Sequence, residues 1–391
     1  MAKEKSAGLD LSDMSMDEII NVLNKKYGVN TIIRASDAKG VEIKFISTGA
    51  FALDFGLGGG LPENRIIEIR GPFSSFKSTI SLYAAKNFLR KYPEGIVIYL
   101  DLEKSFDRKY ARRIGVDLKR VYIVNNDTGE QAVNVLDDLM QTKKDTLAIL
   151  DSVAALIPAA EIVADFEQQH MGLQARLVNK LMRVATARLK RDMYDDDAPS
   201  MTLICLNQLR MKIGVMFGNP ETTPGGEGKN FFYSTIVRLS STPSNVISKE
   251  ETRNGVKHDV KYGQTVTFKI SKNKCGGPQY EEGEFIYWYK DYEGNLANSF
   301  NNLEALFHYG AFYDVIELDS SVGYTYKSIS EKKESRFKER LANNPNAQVS
   351  MYREIIEAMR PSVKAVAATV AKIVSPKKLL AMFDDEEEEG D

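Results

Sequence analysis

Short apolar runs alternate with longer segments of helical periodicity along the middle of the chain. Arg65–Arg70 (RIIEIR), Gly95–Asp101 (GIVIYLD), Arg120–Val124 (RVYIV), Thr146–Asp151 (TLAILD) and Met201–Asn207 (MTLICLN) read as buried strands. Between them Lys77–Lys91, Glu130–Thr142 and Gly172–Asp192 carry apolar residues at helical spacing. This alternation predicts an α/β core: a mostly parallel central sheet with helices on both faces. Thr265–Ser271 and Glu284–Lys290 alternate apolar with polar positions and predict antiparallel strands that extend the sheet. Near the start, Ile19, Ile20, Val22 and Leu23 mark a helix over Met16–Tyr27, with Ser15 as N-cap. From about Asn301 the texture changes, and Leu303–Tyr309 and Met351–Met359 read as helices of a smaller mixed α/β domain. The expected division is an N-terminal helical module (1–37), an α/β core (38–295), a C-terminal domain (296–380) and a tail (381–391).

Composition changes this picture at one place. Hydrophobic residues make up 43% and charged residues 27%, as in soluble globular proteins. No apolar run reaches the length of a bilayer span, and no apolar signal segment is seen at the N-terminus, so no membrane partner is expected. Only Cys205 and Cys275 are cysteines, which excludes a disulfide framework and fits a reducing, cytoplasmic setting. The net charge of -2 argues at first against nucleic acid. However, Asp384–Asp391 holds seven carboxylates, leaving a body of 52 basic against 47 acidic side chains. A mildly basic body with an acidic tail is compatible with a polyanionic partner.

The candidate chemistry begins where the strand Arg65–Arg70 runs into Gly71-Pro72-Phe73-Ser74-Ser75-Phe76-Lys77-Ser78-Thr79 before a helix. Strand, loop and helix in that order are the setting of a P-loop, whose backbone N–H groups and helix N-terminus cradle phosphates. Lys77 is placed to contact the β- and γ-phosphates of ATP, and Ser78 to ligate Mg²⁺. Phe76 stands where the strict pattern has a second glycine. A residue entering a helix is expected to have negative φ, which Phe tolerates. Asp151 ends the strand Leu147–Asp151 and is placed for the second Mg²⁺-holding position. Asp101 and Glu103 close another strand on one side of it, and spacing does not choose which one serves an attacking water.

Several stretches resemble the RecA strand-exchange recombinases. They are the loop Gly71–Thr79, Ile46–Gly49, Gly60-Leu61-Pro62, Asp151–Leu156 (DSVAAL), His170–Leu173, Lys272-Asn273-Lys274 and, above all, Asn207–Thr223 (NQLRMKIGVMFGNPETT) with Gly225-Gly226. The likeness spans about residues 15–345. Phage-encoded members are similar in having an aromatic residue before the P-loop lysine. The resemblance implies a RecA-like ATPase core and residue roles within it. Glu103 matches the glutamate that activates the hydrolytic water, and Gln208 the sensor of the γ-phosphate. Asp107 and Tyr110 match the residues that hold adenine, Tyr110 by stacking. Lys272 and Lys274 match lysines that reach the neighbouring subunit's nucleotide. The first DNA loop maps to about Val163–Gly172 and the second to Met211–Gly226. Around them Met171, Gly172, Arg176, Asn179, Arg183, Arg210, Met211, Lys212, Ile213, Glu221, Thr222, Gly225 and Gly226 are the implied DNA-binding positions. Met171 and Ile213 fall on apolar positions inserted between base triplets.

The expected function is therefore an ATP-dependent recombination protein, a DNA-dependent ATPase. It would form a helical filament of like subunits on single-stranded DNA, pair that strand with double-stranded DNA, and work beside single-strand-binding and mediator proteins. The N-terminal module would join subunits. The rival is a RecA-fold ATPase acting as a DNA motor or recombination mediator. Two departures bear on the subunit contact: Phe73 replaces an acidic loop residue, and Met193–Ser200 is an insertion.

Overall fold

A computed structural model describes residues 11–28, 31–34, 43–163, 172–190, 199–212, 214, 218 and 220–360. Among the described residues the helices are α1 (Met16–Tyr27), α2 (Phe51–Leu57), α3 (Lys77–Lys91), α4 (Arg108–Ile114), α5 (Gly129–Leu139), α6 (Ala159–Val163), α7 (Leu173–Lys190), α8 (Leu303–Phe312), α9 (Glu334–Ala342) and α10 (Pro345–Met359). Ser15 caps α1 as expected. Its hydroxyl accepts from the Glu18 N–H, and the Glu18 carboxylate accepts from the Ser15 N–H, a reciprocal capping box. Yet α1 buries none of its residues.

The central sheet contains β1 (Ile66–Gly71), β2 (Ile96–Asp101), β3 (Val121–Val124), β4 (Thr146–Asp151), β5 (Met201–Gln208), β6 (Thr235–Ser240), β7 (Val246–Arg253), β8 (Val256–Asn273), β9 (Glu282–Trp288) and β10 (Ser299–Phe300). Their spatial order is β10-β9-β8-β6-β1-β5-β4-β2-β3, with β7 paired to β8. The six strands from β6 to β3 are parallel, and the remaining pairs are antiparallel. All five strands expected from apolar runs are present. The antiparallel extension is also present, but β8 is longer than Thr265–Ser271. Its residues 256–261 pair only with β7, where Lys257, His258, Asp259 and Lys261 break the apolar alternation that a sequence reading relies on.

Strand alternation divides the core between the two faces of the sheet. Ile67, Ile69, Val97, Tyr99, Ile149 and Leu206 pack under α3 and α4. Ile66, Ile98, Leu100, Leu150, Leu203 and the Cys205 thiol pack under α5 and α7. A third core holds Leu306, Phe337, Leu341, Met351 and Ile355 of the C-terminal helices, together with Phe55 of α2. Leu53 and Leu57 of the same short helix belong to the first core. Thus α2 splices the C-terminal region to the sheet. No helix among the described residues is long and apolar enough to cross a membrane.

Phe55 is fully buried and contacts the rings of Tyr309 and Tyr352. Phe55→Ala should therefore cost about 3–5 kcal/mol, the range for removing a buried aromatic side chain. Chemical denaturation followed by tyrosine fluorescence should show the C-terminal region unfolding first. An unchanged, single transition would contradict the splice.

Candidate nucleotide and nucleic-acid sites

The P-loop joins β1 to α3. Gly71 ends the strand where a Cβ would meet the Leu239 carbonyl oxygen and Ser75 Oγ, each at 2.4 Å, so the position admits only glycine. The loop then turns through left-handed residues at Ser74 (φ 57°) and Phe76 (φ 66°). The expectation of negative φ at Phe76 is therefore wrong. The residue lies outside the helix as its N-cap, in the left-handed conformation that folds the chain back on itself. An aromatic residue there costs on the order of 1–3 kcal/mol of backbone strain. Its ring lies 5.4 Å from that of Tyr287 and stacks at 6.1 Å on Tyr289, which offsets part of that cost. Lys77 folds inward and donates to the carbonyl oxygens of Gly71 (3.1 Å) and Pro72 (2.7 Å). Burial pulls its ammonium below the ordinary lysine value, while Asp151 and Glu103 oppose that shift. Phe73, within the loop, is 81% exposed.

Parallel register brings the acidic elements to this loop. Gly71 lies opposite Gln208, and Asp101 opposite Asp151. Ser78 Oγ donates to the Asp151 carboxylate at 3.1 Å, and the buried Tyr99 hydroxyl donates to the same oxygen at 2.6 Å. Burial raises the pKa of Asp151. A hydroxyl and a carboxylate side by side at the foot of the P-loop are hard oxygen donors and fit Mg²⁺. Asp101 and Glu103 take different partners, although both carboxylates lie close enough to act on Asp151. The chain leaves the strand at Asp101, whose carboxylate accepts the Ser105 and Phe106 N–H groups and holds the turn. Glu103 instead faces the site, accepting from Gln208 Nε2 at 2.9 Å and from the Ser152 hydroxyl.

A cavity of about 400 Å³ opens beside the loop, with Tyr110, Arg113, Tyr287 and Tyr289 in its wall. The Tyr110 hydroxyl bonds those of Thr79 (2.9 Å) and Tyr287 (3.1 Å), which fixes its ring. Asp107 accepts the N–H groups of Lys109 and Tyr110 as the N-cap of α4. The Tyr110 N–H bond is the main cause holding its carboxyl below the usual range.

The implied nucleic-acid positions gather on α7 and the stem of the second loop. Arg210–Met211 pairs antiparallel with Glu221–Thr222, forming a short ribbon beyond β5. Arg176, Arg183, Arg210, Met211 and Lys212 are exposed, as is Gly172. Met171 and Ile213 lie outside the described residues. Two implied contacts are already engaged within the chain. Glu221 is bidentate on Arg238, which lowers its pKa. Asn179 donates to the Ala175 carbonyl and abuts Gly228. Gly225 has φ 92° and passes so close to α7 that a Cβ would sit 3.1 Å from Val178. Gly226 follows it in the same left-handed region. Lys212 reaches Glu227 at 3.5 Å.

Lys272 and Lys274 do not join this chain's own P-loop. Lys272 pairs with Ile236, which is level with Glu68, three residues short of Gly71. Three strand residues span about 10 Å, so both lysines sit toward the far end of the sheet. Lys272 donates to the Asn230 carbonyl at 2.6 Å, and burial pulls its pKa down.

Sequence reasoning missed Tyr99, Ser152, Tyr287 and Tyr289. The two later tyrosines lay in a recognised alternating run, but nothing local said that its end would meet the P-loop. It also missed Lys229. That side chain is buried and donates to the carbonyls of Gly226 (2.8 Å) and Thr223, tying down the returning stem of the second loop.

The RecA N-terminal domain family matches residues 14–291. A protein RecA from Trichodesmium erythraeum is 38% identical over 264 residues, covering 68% of each chain. One from Francisella philomiragia is 38% identical over 376 residues, covering 95% of this chain and 93% of the relative. One from Trichormus variabilis is 33% identical over 372 residues, covering 94% and 96%. A P-loop at the end of a parallel strand, a carboxylate shared with the base of a glycine-bearing loop, and likeness over nearly the whole length lead to one conclusion: this chain belongs to the RecA family, DNA-dependent ATPases of homologous pairing and strand exchange.

Proposed function

We propose that the chain assembles head to tail on single-stranded DNA, with each ATP held by one subunit's P-loop and completed by the next subunit's Lys272 and Lys274. The observation that carries this reading is the Glu103–Gln208 contact of 2.9 Å. It joins the residue placed for water activation to the last residue of β5, from which the second loop departs after Leu209. Lys77 and the loop N–H groups bind the phosphates, and Ser78 with Asp151 holds Mg²⁺, which would neutralise charge on the phosphate oxygens. Glu103 accepts the proton of the attacking water. Gln208 leaves Glu103 when a γ-phosphate offers it another acceptor, and so passes nucleotide occupancy to the ribbon Arg210–Met211. Arg176, Arg183, Arg210 and Lys212 then meet DNA phosphates, a contact without base reading that leaves the homology test to pairing.

Two surfaces support head-to-tail assembly, because among the described residues little of either is covered. Helix α1 carries an apolar face and buries nothing. Among the described residues strand β3 is an edge of the sheet, and it exposes Tyr122 (54%) and Ile123 (45%). An exposed edge strand is a template for another chain. The proposed division gives residues 1–37 to subunit joining, 38–295 to ATP and DNA, and 296–380 to a C-terminal domain whose first strand, β10, belongs to the central sheet.

Glu103→Gln should keep ATP binding and lower turnover at least about 10²-fold, because an amide cannot accept the proton. Wild-type turnover in a steady-state phosphate-release assay would remove Glu103 from this role. Lys272→Ala/Lys274→Ala should bind nucleotide normally as a monomer but lose DNA-stimulated hydrolysis. Mixed with Lys77→Ala, it should regain part of that activity. Each junction pairing its intact P-loop with the lysines of a Lys77→Ala subunit is a complete site. No recovery in filaments shown to contain both variants would contradict the shared site.

A further inference from the structure

Away from the P-loop, a cavity of about 730 Å³ lies between α3, α10 and the segment that leads into α2. Four cations line it and no carboxylate does. Lys86, Arg90 and Lys91 come from the C-terminal half of α3, and Arg353 comes from α10. Lys91 is already paired with Glu63 at 2.5 Å. The other three are not neutralised. Among the described residues Arg90 and Arg353 make no ion pair and no side-chain hydrogen bond. Lys86 has no anion either, and its ammonium lies 5.1 Å from the centroid of the Tyr83 ring. Lys86 and Arg90 stand four residues apart on one helix, a like-charge spacing that disfavours the helix by itself. Burial, and then the neighbouring Arg90, pull the Lys86 ammonium below the ordinary lysine value.

We infer that this cavity is an anion site for an oligophosphate, and that the bound anion bridges α3 to α10. Three unneutralised cations converging on one space call for a ligand of several negative charges. Guanidinium groups on two elements can each take phosphate oxygens bidentately, and the half-buried ammonium adds a point charge. The volume falls within the range of about 300–1,000 Å³ usual for small-molecule sites. The walls are held before any ligand arrives. Asn87 donates to the Ser47 carbonyl at 2.9 Å, and Asn302 to the Gly49 carbonyl at 2.9 Å. The Tyr352 hydroxyl donates to the buried Asp54 carboxylate at 3.1 Å. A recess between two helices admits a small anion, whereas duplex phosphates are met by cations spread over an open face. The site meets α3 at the end opposite Lys77, so it stands apart from the P-loop. Occupied, it ties the C-terminal helix to the helix that begins at the phosphate loop.

Calorimetric titration of inorganic triphosphate into the full-length protein tests this. A saturating non-hydrolysable ATP analogue keeps the P-loop filled, and sodium chloride holds the ionic strength constant. Wild type should bind triphosphate beyond the analogue. Arg90→Gln/Arg353→Gln should weaken that binding at least about tenfold, as the loss of charge-assisted bonds implies, and leave the affinity for the ATP analogue within about twofold. Lys86→Gln should weaken it in the same direction. Hydrogen exchange should show triphosphate protecting Val349–Ile356 of α10 in wild type and not in the double variant. Equal triphosphate affinity in wild type and the double variant would overturn the inference. So would no binding by wild type, the result expected if the chain's own carboxylates in Asp384–Asp391 hold these cations. Binding without added protection of α10 would overturn the bridge. Loss of duplex DNA binding in the double variant, with triphosphate binding unchanged, would give these cations to DNA instead.

Discussion

Hydrogen-bond register among four parallel strands is the constraint on which the rest depends. β1, β5, β4 and β2 end together, with Gly71 opposite Gln208 and Asp101 opposite Asp151. Slipping any of them by one residue would turn its inward side chains outward. Ile67 and Ile69 would leave one core and Ile66 the other. The apolar alternation that fixes the register therefore also fixes the chemistry at the strand ends. Asp151 and Gln208 end their strands and Glu103 follows β2 by two residues, while Lys77 and Ser78 open the helix at the end of the loop that β1 feeds.

From that frame the site is assembled by short ties. The turn after β2 is held by Asp101 and by N–H groups of Leu102 and Glu103 donating to the Asp151 carbonyl. This brings Glu103 to Gln208. Asn207, next to Gln208, donates to the buried Glu68 carboxylate of β1 and to the Pro224 carbonyl. The strand that carries the P-loop is thus linked to both limbs of the second loop. Burial raises the pKa of Glu68 and lowers that of Lys229, the lysine that clamps the returning limb. A stem built on buried polar groups is costly to open, because each broken tie leaves a desolvated group unpaired.

Much of this was legible in the sequence, and the limits are physical. Apolar runs bounded by turn residues marked the parallel strands, because β1, β2, β4 and β5 are buried on both faces, and the edge strand β3 is apolar as well. Lys77, Ser78 and Asp151 were legible because a strand followed by a helix dictates what its junction can hold. Phe76 was misjudged, since helical entry and the residue before it differ in φ, and sequence does not say which one a side chain occupies. Asp101 and Glu103 were not distinguished because strand alternation stops where the strand does. Tyr287, Tyr289 and Lys229 were invisible for a different reason. They act on the P-loop or on a loop stem through contacts that only the folded sheet creates.

The central claim is that nucleotide and DNA communicate through Gln208. The most direct measurement is ATP turnover of Gln208→Ala with and without saturating single-stranded DNA, alongside its affinity for nucleotide without DNA. The account predicts that nucleotide affinity stays near wild type while the stimulation by DNA falls toward one. A wild-type stimulation ratio in that variant would contradict it.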